Sequence, residues 1–596
     1  MSIAATAPSR RAAGAATMAE AFRITADEFP DRLAVRTRED EVSLTWSQLR
    51  ERSDALAGGL AGLGVGKGDT VALMLTNRPE FHVADLAVMT LGGTPFSLYQ
   101  TLTPEQIQYV VGDAGAKVAL VEEAFLPVVT AARDLGGTAL ETIVVLEGAR
   151  GDGTAAWDEL EAAGAGFDAE PHWRALAPDD LLTLIYTSGT TGPPKGVQLT
   201  HRNLMAAVRS IESVVQFPDE TRVISWLPAA HIAERAAHHY LPIVYGMSVT
   251  CCPNPKEIVG YLPAVRPTWF FAVPRIWEKL RAAMSAHVFA PGGDDRRHLD
   301  AAMRKVELEQ AGEAVPDDVA AEAAAGEEKF AQVRAMLGLD EAVAVNAGAA
   351  PTPREVLVFF HALGIPLAEL WGMSETCGAG CVNPPDRVKI GTVGPPVAGV
   401  EVKLADDGEL LVRSEVVMAG YRNLPDKTAE AIDADGWLHT GDIARIDDDG
   451  YVAIVDRKKE IIINAAGKNM SPANIEATVK SASPLIGNAC VIGDARPYNT
   501  ALIVLDADFA PAWASQQGID ETSLEALAGD ERVRAALQQA VDEANAKLAR
   551  VEQVKKFTIV RGDWAPGGDE LTPTMKLKRR PIGEKYAADI EAMYDG

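Results

Sequence analysis

The sequence predicts an α/β protein of more than one domain, and three observations carry that expectation. Helical periodicity alternates with short apolar runs from residue 46 to 370, which argues for layered α/β structure. The texture changes to short strands and turns beyond Gly391. A charged run, Asp456-Arg457-Lys458-Lys459, then precedes a final unit of about 140 residues, enough to bury its own core. A chain of 596 residues exceeds one hydrophobic core, and length alone allows roughly three or four domain-sized units.

Taken in order, residues 1–20 read as a flexible start. Residues 46–63 and 79–91 have helical spacing, and 71–75, 117–121 and 143–146 read as strands. The rhythm resumes at 181–185, with strands at 249–252 and 269–273 and a helix opening near Pro274. From 282 to 339 the chain is rich in Ala, Glu, Asp and Arg, with a Pro291-Gly292-Gly293-Asp294-Asp295 break. That composition reads as a solvated helical insertion without chemistry of its own. Residues 353–363, with Phe359 and Phe360, read as core packing. The runs 400–404 and 410–412 with the turn at 447–450 form a small β subdomain, and a domain boundary falls at 458/459. No repeat of 20–50 residues is visible.

Composition is that of a folded chain, 47% hydrophobic, 23% charged and 6% aromatic, so disorder and a fibrous build are excluded. The net charge of −28 repels nucleic acid and anionic lipid over the molecule as a whole, so an anionic ligand must be held by local groups. Five cysteines without zinc spacing read as reduced thiols in a cytoplasmic protein. The N-terminal segment lacks an apolar signal core, and no uncharged apolar stretch of about 18 residues occurs, which argues against secretion and membrane spanning.

The most informative segment is Tyr186-Thr187-Ser188-Gly189-Thr190-Thr191-Gly192-Pro193-Pro194-Lys195-Gly196-Val197, directly after an apolar run. Its glycines let backbone N–H groups approach an anion, its hydroxyls donate, and Lys195 adds a point charge: a polyphosphate cradle. It is not a Walker A loop, because Lys195 is flanked by Pro194 and Gly196. By composition alone a flexible Gly/Ser/Thr loop is the competing reading.

This segment resembles the phosphate loop of the AMP-forming acyl-adenylating enzymes, the superfamily of acyl-CoA synthetases, adenylation domains and beetle luciferase. Six further segments, in that family's order, extend the resemblance over essentially the whole chain. They are 227–235 beside the acyl pocket, Asn346-Ala347-Gly348-Ala349-Ala350-Pro351 at the adenine turn, and Trp371-Gly372-Met373-Ser374-Glu375-Thr376, with Trp in the place of the usual Tyr. Leu438-His439-Thr440-Gly441-Asp442, the hinge stretch 456–472 and the lysine motif 571–580 complete the set.

The resemblance implies two α/β layered subdomains and a β-barrel-like subdomain in a domain spanning 21–458, with a mobile α+β domain at 459–596 turning about Lys459. It implies ATP and CoA as co-substrates and Mg²⁺ as the metal, held by Thr187 and Glu375. The nucleotide would meet Thr187, Ser188, Gly189, Thr190, Thr191, Gly192, Lys195, Gly348, Ala349, Ala350, Trp371, Gly372, Met373, Ser374, Thr376, Asp442 and Arg457. Asp442 is the residue for both ribose hydroxyls, and Lys576, with Glu375 and Thr187, is catalytic in adenylation. His231 lines the acyl site, while Gly467, Lys468 and Asn469 approach the pantetheine tunnel in the second step. Without the other motifs, Glu375 reads as a solvated or capping Glu, Asp442 as a turn residue, Lys576 as a surface Lys and His231 as a core histidine.

One departure bears on substrate. Some long-chain members carry an aromatic gate a few positions after the histidine, whereas this chain has Glu234 and Arg235, which fit an ion-pair network shaping the pocket. Adjacent His238 and His239 do not share a helix face at i, i+4, so a metal there is rejected. The basic run Lys578-Arg579-Arg580 offers a contact for CoA phosphates. The His-x-x-Glu-Arg segment, the insertion and the Thr-Pro-Thr-Met-Lys-Leu-Lys-Arg ending are most like long-chain fatty acyl-CoA synthetases. The expected partners are therefore a fatty acid, ATP and CoA and not nucleic acid, in the cytoplasm, with peripheral membrane contact left open. A ligase that hands its adenylate to a carrier protein, and a non-catalytic acyl- or nucleotide-binding relative, are the alternatives.

Overall fold

The structure, a computed structural model, describes residues 11–148, 151, 153–187, 193–465, 468–572 and 575–595. Packed structure starts earlier than the expected flexible segment ends. A 3₁₀ turn at Arg11–Gly14 leads into the helix Met18–Glu28, capped by Thr17, whose side chain accepts from the Glu20 amide. Ala12, Ala15 and Met18 are buried. Order at 11–20 therefore comes from small apolar residues docking on the core.

Three α/β sheets underlie the large unit, beside a three-stranded sheet of Leu181–Thr187, Lys195–Thr200 and Gly420–Tyr421 and the sheet of the small β subdomain. The first is wholly parallel, with strands Thr94–Ser97, Thr70–Met74, Val118–Glu122, Thr142–Leu146 and Thr154–Ala156 side by side. The run at 71–74 is buried on both faces, as a parallel strand covered by helices must be. Trp46–Gly62 and Pro79–Thr90 form the expected helices, the first with a Thr45/Gln48 capping box. The second sheet orders Arg222–Ser225, Ser248–Cys251, Leu33–Thr37 and Ser43–Thr45. The third orders Trp269–Ala272, Ala344–Ala347, Leu367–Trp371 and Cys381–Val382, and its C-terminal strand ends carry the adenine-turn and Trp371 segments. Ends of parallel strands are where open α/β sheets bind ligands.

The insertion departs from its expected character. Beyond the helix Pro274–His287 it forms Asp294–Gln310, Asp317–Ala325 and Glu327–Met336, and one face of this layer is core. Leu299, Ala302, Phe330 and Val333 are buried, and the Phe289 ring meets Phe330 and Phe359 at centroid distances of 6.2 and 6.3 Å. The apolar pairs at i, i+3 were diluted by the charged residues between them, which hid the buried stripe.

The small β subdomain is a four-stranded antiparallel sheet, Glu401–Leu404, Glu409–Arg413, Leu438–Ile446 and Val452–Arg457. Past it, Ile486–Ile492, Asn499–Leu505 and Val554–Ile559 form a mixed sheet against the helices Pro472–Ser481 and Glu531–Lys547. Among the described residues no buried apolar cluster bridges position 459: the clusters run either within 12–452 or within 462–593. All five cysteines are free and buried, and no helix of the described residues is long and apolar enough to cross a membrane.

Phe330→Ala tests whether the insertion is part of the core. Truncating a fully buried Phe costs about 3–5 kcal/mol, so urea titration should place the variant well below the parent in stability. A change inside the error of the titration would mean that the layer is a solvated appendage.

Candidate functional site

A chain of contacts assembles the phosphate side. Thr187 ends the strand Leu181–Thr187 and pairs in register with Lys195, opening the strand Lys195–Thr200; its Oγ1 donates to the Lys195 carbonyl at 3.4 Å. The Lys195 ammonium lies 3.9 Å from the centroid of the Tyr421 ring, a cation–π contact. Tyr421 reaches this point because the strand Gly420–Tyr421 pairs with Val197 and Gln198. Its hydroxyl donates to Glu375 Oε1 at 2.7 Å, and burial together with the carboxylate raises the Tyr421 pKa, so the phenol stays protonated. Thr187, Lys195 and Glu375, distant in sequence, thus share one wall of the cleft. Ser188, Gly189, Thr190, Thr191 and Gly192 lie outside the described residues.

The nucleotide side centres on Asp442. Trp371 Nε1 donates to Asp442 Oδ2 at 2.8 Å, and Arg457 Nε pairs with Oδ1 at 2.7 Å. Each Asp442 oxygen thus accepts one hydrogen bond and keeps one lone pair for a further donor. Arg457 is opposite Asp442 in the ladder between Leu438–Ile446 and Val452–Arg457. Trp371 is fixed by close backbone approach, since a Cβ on Gly372 would stand 2.2 Å from the Gly378 carbonyl oxygen and one on Gly380 2.5 Å from the Trp371 ring. Met373, Ser374 and Thr376 follow in a 3₁₀ turn, in which Thr376 Oγ1 accepts from the Met373 amide at 3.1 Å. At the adenine turn Gly348 is buried, Ala349 and Ala350 are exposed, and Ala349 takes a left-handed φ of 70°, a conformation costly for a residue with a Cβ. Glu369, two residues before Trp371, accepts from the Thr352 amide at 2.9 Å, and burial raises its pKa to about 7.

His231 caps the short helix Ile232–Arg235, accepting from the Ala233 amide at 3.1 Å. Burial lowers its pKa to about 4, and Lys576 adds to the depression. Glu234 and Arg235 form the expected buried network. Glu234 accepts from Asn77, Ser225 and the Leu227 amide and pairs with His238 at 2.7 Å. Arg235 pairs with Asp85 at 2.5 Å, both fully buried, and donates to Ser97 and the Ala229 carbonyl. Removing one partner of such a pair costs about 3–5 kcal/mol, which makes this wall rigid. His239 contacts Asp85 and His82, so both histidines serve the network.

Lys576 enters from the far unit. Its loop is a closed hairpin: the Thr572 amide donates to the Lys576 carbonyl at 2.8 Å and the Lys576 amide to Thr572 Oγ1 at 3.0 Å. The ammonium keeps solvent access within the cleft, while the surrounding mass of protein and then Arg457 lower its pKa; Asp442, Glu375 and Glu460 oppose that shift. One lysine therefore senses His231, Arg457, Asp442 and Glu375 together. Lys468 and Asn469 are exposed on the hairpin Ile462–Ile463 with Asn469–Met470, and Gly467 lies outside the described residues. Lys459 is exposed. The basic run is not a free anion site. Arg579 is taken up by Glu476, at 2.6 and 2.8 Å, and by Glu460, Lys578 Nζ bonds the Gly568 carbonyl, and Arg580 pairs with Glu584. Tyr421 and Glu369 escaped sequence reading, because neither stands in a segment with a local signature.

The model of the AMP-binding enzymes matches residues 22–422, and that of the AMP-binding enzyme C-terminal domain matches 459–596. The chain belongs to the AMP-binding enzyme family. Among its relatives, fadD11 of Mycobacterium tuberculosis is 50% identical over 454 residues, 75% of this chain and 79% of that one. The long-chain-fatty-acid–CoA ligase FadD15 of Mycobacterium bovis is 36% identical over 93% of this chain and 92% of its own. The adenylation domain of a carboxylate reductase from Mycobacterium chelonae has the same fold, with a TM-score of 0.77 at 20% identity over 99% of this chain and 94% of that one. Family membership accounts for the α/β architecture with a separate C-terminal unit.

Lys576→Met removes the cation nearest His231, so NMR titration should find the His231 pKa raised from about 4 toward 6.5. His231 has its folded pKa below the unfolded value. Its contribution to stability is therefore fully present above pH 6.5 and declines as pH falls toward 4, because the unfolded chain then binds more protons. The stability of Lys576→Met should accordingly fall less between pH 6.5 and 5 than that of the parent; identical pH profiles would separate the two residues.

Proposed function

We propose that this protein activates a long-chain fatty acid with ATP, forming an acyl-adenylate and pyrophosphate, and then transfers the acyl group to CoA, releasing AMP. The observation that carries this reading is the convergence of Lys576 with Asp442, Arg457, Glu375 and His231 in one cleft. The names of FadD15 and of the long-chain-fatty-acid–CoA ligase ACSBG2 of Gallus gallus, 31% identical over 97% of this chain and 81% of that one, support the acyl class.

In the first step a carboxylate oxygen forms a bond to the α-phosphorus, and the bond to the bridging oxygen of pyrophosphate breaks. Negative charge grows on the α-phosphoryl oxygens and on the leaving group, and preplaced donors there lower the barrier. Lys576 meets the first demand, its backbone amide held by Thr572 Oγ1. His231 is neutral at physiological pH, which leaves Lys576 as the cation available to an incoming carboxylate on that side. Asp442 keeps lone pairs for ribose hydroxyls, and Trp371 and Arg457 hold that carboxylate still. Glu375 and Thr187 present hard oxygen donors, a set that fits Mg²⁺, which takes few protein ligands beside phosphate and water. When bound, the ion would stabilise the charge of departing pyrophosphate.

In the second step the thiolate of CoA attacks the acyl carbon and AMP leaves. Lys468 and Asn469 are exposed, and bringing them to the acyl group is the part of a turn of the unit at 459–596 about Lys459.

Purified protein incubated with ATP, Mg²⁺ and CoA across acids of graded length should release AMP and acyl-CoA in equal amounts, and chiefly with long chains. Lys576→Ala should lower the rate by about 10²–10³-fold, the scale of losing one preplaced donor. Adenylate without thioester would redirect the second step to a carrier protein, and no AMP with any acid would sink the proposal.

A further inference from the structure

Three ion pairs join the two units among the described residues. On the helix Pro274–His287, Arg275 pairs with Asp506, and Lys279 Nζ lies 2.8 Å from Asp508 Oδ2. On the helix Arg354–Ala362, Glu355 accepts Lys547 Nζ at 3.1 Å on Oε2, while Arg281 holds Oε1 at 3.2 Å. The positions are not scattered. Arg275 and Lys279 are four apart on one helix face, and Asp506 and Asp508 follow the central strand Asn499–Leu505 of the mobile unit's sheet. Lys547 closes the last turn of the helix Glu531–Lys547. Two attachment regions on that unit thus meet two neighbouring helices on the large one.

What these pairs hold is the catalytic lysine. The hairpin of Lys576 follows the strand Val554–Ile559, the parallel neighbour of Asn499–Leu505, and the amide of Val560 donates to the Ile503 carbonyl at 2.8 Å. Arg579, three residues beyond Lys576, is bidentate to Glu476 on the helix Pro472–Ser481. The unit is therefore stiff between its ion-pair residues and its lysine. Among the described residues no buried apolar cluster bridges the two units, so the ion pairs there have no shared hydrophobic core behind them. Partly exposed pairs are weak one by one, worth up to about fivefold in an equilibrium each. Weak contacts of this kind suit a joint that must open once per turnover.

We propose that Arg275, Lys279 and Glu355 are positioning residues: by pairing with Asp506, Asp508 and Lys547 they set Lys576 in the cleft for adenylation, and their release permits the second half-reaction. This rests on the two-step reaction proposed above. None of the six residues is among those placed at the nucleotide or acyl group.

The test reads the two half-reactions separately in Lys279→Glu, Lys547→Glu and their combination. With fatty acid and no CoA, ATP–pyrophosphate exchange in the combined variant should fall by about five- to tenfold in kcat with KM for ATP nearly unchanged. Conversion of supplied acyl-adenylate and CoA to thioester should hold or rise. The exchanged pair Lys279→Glu with Asp508→Lys should recover most of the loss in Lys279→Glu. Hydrogen exchange of the backbone amides at 456–463 gives a reading that needs no turnover, and it should quicken in the combined variant. Both half-reactions falling together without rescue, or neither changing, would overturn the proposal. If the parent shows no acid-dependent exchange, the reaction itself is wrong; amide exchange then decides the ion pairs alone, and unchanged protection overturns them.

Discussion

The cleft depends on one carboxylate, that of Asp442, held between an indole and a guanidinium that come from different sheets. Trp371 ends a strand of the third α/β sheet, while Asp442 and Arg457 face each other across the small antiparallel sheet. The two hydrogen bonds therefore lock two layers into one surface. They also fix Arg457 two residues before Lys459, where the second unit begins to move in the proposed mechanism. A buried carboxylate with both oxygens engaged is stable as an anion only while those donors stay in place, so local geometry and domain geometry are coupled at this point.

The cations of the site are distributed by the same logic. Lys195 is placed over Tyr421, which in turn donates to Glu375, and this fixes the phosphate side without a shared sequence segment. Lys576 arrives on a hairpin of the other unit, crowded enough by protein and by Arg457 for its pKa to drop. Burial leaves His231 neutral, and Lys576 adds to that effect.

The elements were legible in sequence because they follow local periodicity. The strand at 70–74, the helices at 46–62 and 79–90 and the strand at 401–404 each lie within a residue or two of their expected bounds. The roles proposed for Lys576, Asp442 and Glu375 rest on family motifs, since an isolated Lys or Asp carries no signature of its use. What stayed hidden was long-range pairing. Nothing near Asp442 announces Trp371, nothing near Arg579 announces Glu476, and the run at 578–580 reads as free positive charge until its partners are seen. The insertion misled for a related reason, because charged residues between Leu299, Ala302, Phe330 and Val333 diluted a stripe that packs on the core.

The central claim is that Lys576 sits inside the nucleotide cleft. Competitive acetylation of lysines across pH, read by mass spectrometry with and without ATP, tests it without relying on turnover. Lys576 is expected to titrate below the ordinary 10.5 and to lose reactivity when ATP is bound, while exposed Lys468 keeps its reactivity with ATP. A Lys576 that titrates at 10.5 and is indifferent to ATP lies outside the cleft, the contrary result.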